Sequence, residues 1–409
     1  MELQIEPSVG AWIRAARRAC LGAASGILVA CGGGGGGAAD GTLRVALTDA
    51  PSCGYDHVFV TVEKVRVHQS STASDADSGW SEIPVSPARR IDLLTLTNGV
   101  LTELGSTPLP AGNYSQIRLV LADNSAGNPT ANAVQPTGGA EVALRTPSAQ
   151  QSGLKLQTHF EVASGQTADL VLDFDACKSI AKAGNSGQYN LKPVMAVLQR
   201  LGTSIEGFVS TTIANGSTTV SAQQNGVPVR ATTPDASGKF VLSLLPDGSY
   251  TVVVTADGRE TAVVTGVPVA LSAGKTLLNG TATSIAPAAA TMRDVTGTVT
   301  LVTSTPGGTT SAPLTDATVR TSQTLTGGLG VEVSDRPVDA IDASYRFRLP
   351  AAAPVRASYV SAATPLSFAP DAPVAGKYSI AAQAPGQTIQ TKSVDITSIN
   401  ATATFTFGP

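Results

Sequence analysis

Leu154-Lys155-Leu156-Gln157-Thr158-His159-Phe160-Glu161-Val162 decides the fold class. Leu154, Leu156, Phe160 and Val162 fall on one face, and Lys155, Gln157, His159 and Glu161 on the other. A period of two belongs to a half-buried β-strand, whose successive side chains point to opposite faces. Leu170, Leu172 and Phe174 repeat the pattern a few residues on. Upstream, Leu43 to Thr48 alternates with its odd positions inward. Val58, Val60 and Val62 share a face, and the apolar phase then moves to Val65 and Val67. A change of face by one residue within a run is what a β-bulge produces, so one is expected near Glu63-Lys64. Ile91 to Leu104 alone has helical potential, with Asn98 expected to cap a short turn ending before Gly105. The spacing of strands and turns predicts a β-sandwich over residues 41–201.

The whole chain supports an all-β class. Its 409 residues suggest two to four domains. Charged residues make up 14 % and aromatics 4 %, and segments with helical period are missing, so short strands and turns remain. The formal net charge is −3 and the sequence shows no basic patch, which argues against a nucleic-acid partner.

Two further blocks look like diverged copies of one unit. Gly207-Phe208-Val209, Val227-Pro228-Val229, Asp235-Ala236-Ser237-Gly238-Lys239-Phe240 and Leu245-Pro246-Asp247-Gly248-Ser249-Tyr250 come in that order. Gly297-Thr298-Val299, Asp316 to Val319, Asp342 to Phe347 and Ala375-Gly376-Lys377-Tyr378 follow in the same order. Such recurrence argues for duplication. The blocks are placed at residues 204–286 and 292–409, with an insertion at about 350–373 in the second copy. All three blocks are expected to be tandem β-sandwiches, the first larger than the other two. The breaks around 202–204 and 286–291 are expected to separate independent units. Each aromatic following a Gly turn is assigned to packing.

The N-terminus carries a targeting signal. Arg14, Arg17 and Arg18 precede a small, apolar run ending Leu28-Val29-Ala30-Cys31, and Gly32 to Gly37 follow. The apolar run is too short to span a bilayer as a helix. It resembles the lipobox of bacterial lipoproteins. The resemblance implies cleavage after residue 30, acylation of Cys31 and a Gly-rich tether over residues 31–40. Gly32 after the lipidated Cys implies sorting to the outer membrane, with the body on its periplasmic or surface face. Cys53 and Cys177 are then the cysteines left in an exported chain, and a disulfide between them is expected.

Two family resemblances follow. Thr48-Asp49-Ala50-Pro51, Val60-Thr61-Val62, Leu109-Pro110-Ala111-Gly112-Asn113-Tyr114 and Leu172-Asp173-Phe174-Asp175-Ala176-Cys177 resemble the bacterial lipoprotein family called domain of unknown function 4382. That family implies an exported envelope β-domain and no activity. Residues 204–286 resemble the carboxypeptidase regulatory-like family of small transthyretin-like sandwiches, which implies a spacer or binding module.

Signatures of catalysis are sparse. No G-x-S-x-G, H-E-x-x-H or Walker loop occurs, and His57, His68 and His159 are dispersed. Asp169, Asp173 and Asp175 share one strand face, where three carboxylates suit a hard cation such as Ca²⁺ or a solvated outer surface. Asp75-Ala76-Asp77-Ser78-Gly79 resembles the start of a calcium loop but reads better as a polar hairpin. Trp80, Tyr55 and Tyr189 offer stacking faces for a sugar, with packing the plainer role. The reading is a non-enzymatic envelope lipoprotein of binding or structural role, without a cofactor, whose partner is a glycan or an envelope protein. The competing reading is a metal-assisted or carbohydrate-processing accessory protein using the acidic strand.

Overall fold

A computed structural model describes residues 39–49, 54–146, 153–306, 308–361 and 365–408. The lipobox, Cys31, the tether and Cys53 lie outside the described residues. No helix among the described residues is long and apolar enough to cross a membrane.

The first block is a two-layer β-structure. One sheet runs in spatial order Met195–Gln199, Thr167–Phe174, Gly41–Asp49, Thr102–Leu109. The other runs Ile180–Ala183, Gln188–Leu191, Val142–Arg145, Ala133–Pro136, Tyr55–His68, Gly112–Leu121, Leu154–Val162, with Ser81–Asp92 also paired to Tyr55–His68. Alternating residues of both sheets meet in one core that includes Leu43, Val45, Leu47, Val58, Val60, Val65, Leu172 and Phe174. The bulge is present. Register shifts between Val62 and Lys64 against both neighbouring strands, so Val62 and Val65 are both fully buried.

One local expectation is corrected. The turn in 91–104 is a 3-10 helix, Leu93–Leu96, capped by Asp92 rather than by Asn98. After Cys177 the chain forms a hairpin of Ile180–Ala183 against Gln188–Leu191.

The duplication is visible as topology. In the second block Ser204–Phe208 lies between Lys239–Ser243 and the parallel Lys275–Leu277. In the third, Met292–Thr305 lies between Ser344–Pro350 and the parallel Ala401–Thr402. The opposing sheets also correspond: Val227–Thr232, Thr219–Gln224, Gly248–Thr255, Ala262–Val269 against Gly330–Pro337, Thr318–Thr324, Lys377–Gln383, Gln390–Asp395. Phe240 and Phe347 are fully buried at matching strands, as the packing role requires. The two Leu-Pro-x-Gly-x-Tyr stretches fold alike. The Tyr114 hydroxyl donates to the Pro110 carbonyl at 3.0 Å and the Tyr250 hydroxyl to the Pro246 carbonyl at 2.7 Å. Each tyrosine thereby locks the turn before its own strand while its ring fills the core.

The insertion in the third block does not stay in that block. Val355–Ser358 pairs in parallel with Ala262–Val269, and Ala369–Pro370 pairs with it in turn, so both extend the second block's sheet. Val355, Tyr359, Leu366 and Phe368 pack against the second block's core. The segment 286–291, read as a linker, is also bound to that block. Glu260 N donates to Ala288 O at 3.1 Å and Ala290 N to Gly258 O at 2.9 Å.

Candidate functional site

Residues 38–409 form one compact unit, and its three blocks meet around a cavity of about 1270 Å³. Tyr55, Asp173, Asp175 and Lys178 come from the first block, Ser221, Gln223 and Arg230 from the second, and Glu332, Asp335 and Arg336 from the third. Three seams close it.

The first and second blocks are clasped by Asn98. Its N–H donates to Thr232 Oγ1 at 2.7 Å, its Nδ2 to Lys239 O at 3.2 Å, and its Oδ1 accepts from Val241 N. Its φ of 61° is left-handed, a conformation asparagine tolerates better than most residues. Leu244 adds an apolar contact against Ala46 and Val171. Asn98→Ala removes the two side-chain bonds, leaves the backbone N–H donating to Thr232, and strains the backbone at this positive φ. It is expected to lower stability by ~1–3 kcal/mol. Asn98→Gly, which relieves the backbone but loses the same two side-chain bonds, separates the two contributions in a thermal-unfolding comparison.

The first and third blocks join where Gly184 N donates to both oxygens of Asp339 at 3.0 and 2.8 Å, and Ala340 N to Lys182 O at 2.9 Å. The second and third join through a reciprocal pair. Gln223 Nε2 donates to Glu332 O at 2.8 Å while Gln223 Oε1 accepts from Glu332 N at 2.9 Å. Val253 and Val263 also pack with Leu325 and Val331. At this seam a Cβ on Gly226, whose φ is 76°, would come 2.9 Å from Gly330 O, so the hairpins touch only because glycine is there.

The acidic strand falls at this junction, although its three carboxylates do not converge. Asp169 faces Arg44 at 3.4 Å and Arg200 at 3.2 Å, away from the cavity. Asp173 faces Arg230 of the second block at 3.4 Å. Asp175 caps the helix Ala176–Ser179 and lies 3.6 Å from Lys178. Each carboxylate therefore has a cation of the chain itself. Among the described residues no group of three or more His, Cys, Asp and Glu side chains is placed to hold a metal ion.

Burial dominates the electrostatics here. It pushes the carboxyls of Asp173 and Asp175 above the usual range, against the pull of Arg230 and Lys178. It raises Glu332 to about 7 and raises Asp335 as well. For Lys178 burial alone would lower the pKa, but Asp175, Glu332 and Asp335 together raise it. Burial lowers Arg230, with Asp173 opposing.

The remaining candidates are engaged with other groups of the chain. Trp80 lies against the guanidinium groups of Arg66 and Arg118, at 4.6 and 4.5 Å from its ring centre, and His68 tilts against it at 5.0 Å. Tyr55 and Tyr189 meet edge to face at 6.1 Å. Asp75 pairs with Arg66 and with Arg118, and Asp77 accepts from Ser74, which holds the 70–79 segment as a hairpin loop. The histidines stay apart. His57 Nδ1 lies 2.6 Å from Asp92 Oδ2, and His68 accepts from Ser70 N. Sequence reasoning missed Asn98, Gln223 and Lys178 as the residues that join the blocks. The local pattern around each carries no sign of its distant partner.

The comparisons with known proteins agree with the two family resemblances. Residues 40–193 match the family model described as domain of unknown function (DUF4382), and residues 204–281 match the carboxypeptidase regulatory-like domain. No curated protein matches the chain. Among solved structures, a cohesin–X-dockerin complex from Acetivibrio cellulolyticus matches at 22 % identity and TM-score 0.18, over 22 % of this chain and 58 % of that one. The minor pilin of Streptococcus agalactiae matches at 12 % identity and TM-score 0.19, over 50 % of this chain and 94 % of that one. The pilus adhesin of Lactobacillus rhamnosus GG matches at 9 % identity and TM-score 0.15, over 88 % and 38 %. At such TM-scores these likenesses carry no argument about function.

Proposed function

We propose that the protein is a non-enzymatic envelope lipoprotein. Cys31 carries the lipid, the following glycines form the tether, and the three-block body binds a polar partner at its central cavity. The outer membrane is the proposed site of attachment, by the resemblance of Gly32 to the sorting position. The observation that carries the binding role is the cavity. All three blocks build its wall, which mixes hydroxyls such as those of Ser221, Thr255 and Thr296 with apolar side chains such as Met195, Val229 and Leu349. Hydroxyls set among apolar faces suit a glycan or a peptide segment of an envelope protein. Its volume of about 1270 Å³ is also larger than most small-molecule sites need. The charged groups around it are occupied with one another, which supports binding or structure over catalysis.

The reading also includes the Cys53–Cys177 bridge. Gly54, the residue after Cys53, lines the same cavity wall as Cys177.

Labelled palmitate is expected to enter the wild-type chain and to be lost in Cys31→Ser, with the variant appearing in the soluble periplasmic fraction. Equal labelling of both overturns the anchor. A glycan array and metal analysis on the same protein test the binding role. Tightly bound Ca²⁺ together with glycan hydrolysis would replace it with the metal-assisted reading.

A further inference from the structure

Lys178 stands where the three blocks converge. It projects from the first block's helix Ala176–Ser179 toward the third block's strand Gly330–Pro337. Its Nζ lies 3.6 Å from Asp175, 3.7 Å from Glu332 and 4.0 Å from Asp335. Glu332 is the most deeply placed of these acids, with 6 % of its surface exposed. The second block holds its backbone through Gln223 on both sides. Its carboxylate also faces Arg320 of the neighbouring strand at 3.7 Å. Arg336 is turned elsewhere, toward Tyr55, Asp335 and the ring of Phe347. Asp173 is matched with Arg230 across the cavity wall.

Around Glu332 two further carboxylates, Asp175 and Asp335, stand in the same buried cluster; Lys178 and Arg320 are the cations that face the Glu332 carboxylate itself, while Arg336 serves Asp335. Contacts of 3.7 Å are too long for hydrogen bonds and recover little of what desolvating a carboxylate costs. A proton on Glu332 removes the charge that is most poorly compensated and relieves its repulsion with Asp175 and Asp335.

We propose that the Glu332–Lys178 junction is a proton-operated latch, which closes the three blocks on the central cavity in mildly acidic solution and loosens them as the solution turns alkaline. The latch goes beyond the proposed binding role and depends neither on the lipid nor on the identity of the partner. Its direction follows from linkage. The Glu332 carboxyl of the closed body titrates near 7, above the ordinary glutamate value near ~4.3 that applies once the junction opens. Proton uptake thus favours the closed form. The stabilisation is complete below the opened-state value and is lost as the pH rises through about 7. Asp173, Asp175 and Asp335 are displaced in the same sense and reinforce it.

The experiment is hydrogen exchange on the full chain, followed at the backbone amide of position 332 and corrected for the intrinsic pH dependence of exchange. In the wild type, protection at this amide is expected to fall about tenfold between pH 6 and pH 8.5. In Glu332→Gln it is expected to stay level, at or above the wild-type value at pH 6. Lys178→Met removes one of the two cations that face Glu332 and is expected to steepen the fall, which keeps the test decisive if the first variant folds poorly. Wild-type protection that is flat with pH overturns the latch. So does a Glu332→Gln protein that keeps the tenfold fall, or a Lys178→Met protein with the wild-type slope.

Discussion

Residues 204–286 expressed alone are expected to melt far below the intact body and to bind a hydrophobic dye. The reason is a missing strand. In the full chain Ala262, Val263, Val264 and Thr265 pair with Val355, Arg356, Ala357 and Ser358. Val355 N donates to Thr261 O and Tyr359 N to Thr265 O, both at 2.8 Å. Cutting at residue 286 leaves Ala262–Val269 as an open edge with apolar side chains beside it, a template for aggregation. It also uncovers core residues that Val355, Tyr359, Leu366 and Phe368 cover. Burying one large apolar side chain contributes about 1.5–3 kcal/mol, and partial burial proportionately less. Four such residues still add up to several kcal/mol, against a typical domain stability of ~5–15 kcal/mol. The same fragment joined through a flexible linker to residues 353–370 is expected to recover most of the loss. Thermal unfolding by circular dichroism reads both. A bare 204–286 fragment melting within a few degrees of the longer one would show that the donated strand stabilises nothing.

Replacing both cysteines, Cys53→Ala/Cys177→Ala, is expected to cost up to ~5 kcal/mol, because the proposed bridge would close a loop of over a hundred residues. For a body of this size that corresponds to a melting temperature lower by on the order of 10 °C. The helix bearing Cys177 is well placed to transmit the constraint. Asp49, at the end of the first strand, accepts from Ala176 N at 3.0 Å, and Asp175 caps the helix through Lys178 N. The proposed bridge would add a covalent tie to the helix that carries Lys178. Loosening it is expected to raise exchange at the junction as well as to lower the melting temperature. Two free thiols on alkylation of the oxidised wild type, or an unchanged melting temperature in the double variant, would refute a stabilising bridge.

Much of the architecture was legible because it is local. The period of two in Leu154–Val162 needs only neighbouring residues, and so does the phase change between Val62 and Val65, which the structure shows as a register shift. The Leu-Pro-x-Gly-x-Tyr turns close on a carbonyl four residues back, so the motif and its hydrogen bond lie in the same short stretch. The duplicated order of motifs reappears as duplicated strand order.

Local pattern was thus enough for an all-β chain, its bulge, its Leu-Pro-x-Gly-x-Tyr turns and the strand face shared by Asp169 and Asp173, whereas Asp175 falls past the strand end as a helix cap. What those groups meet depends on packing. Asn98 was read as a cap because helix caps are local, whereas its bonds run to Thr232, Lys239 and Val241. The insertion was assigned to the third block because it lies there in the chain, whereas its backbone hydrogen bonds complete the second block's sheet. The acidic strand suggested a cation site because carboxylates on one face attract positive charge. The positive charges come from Arg44 and Arg200 for Asp169, from Arg230 for Asp173 and from Lys178 for Asp175. Periodicity specifies which way a side chain points. The packing of distant segments settles what it points at, and with it the burial that moves Glu332 to about 7.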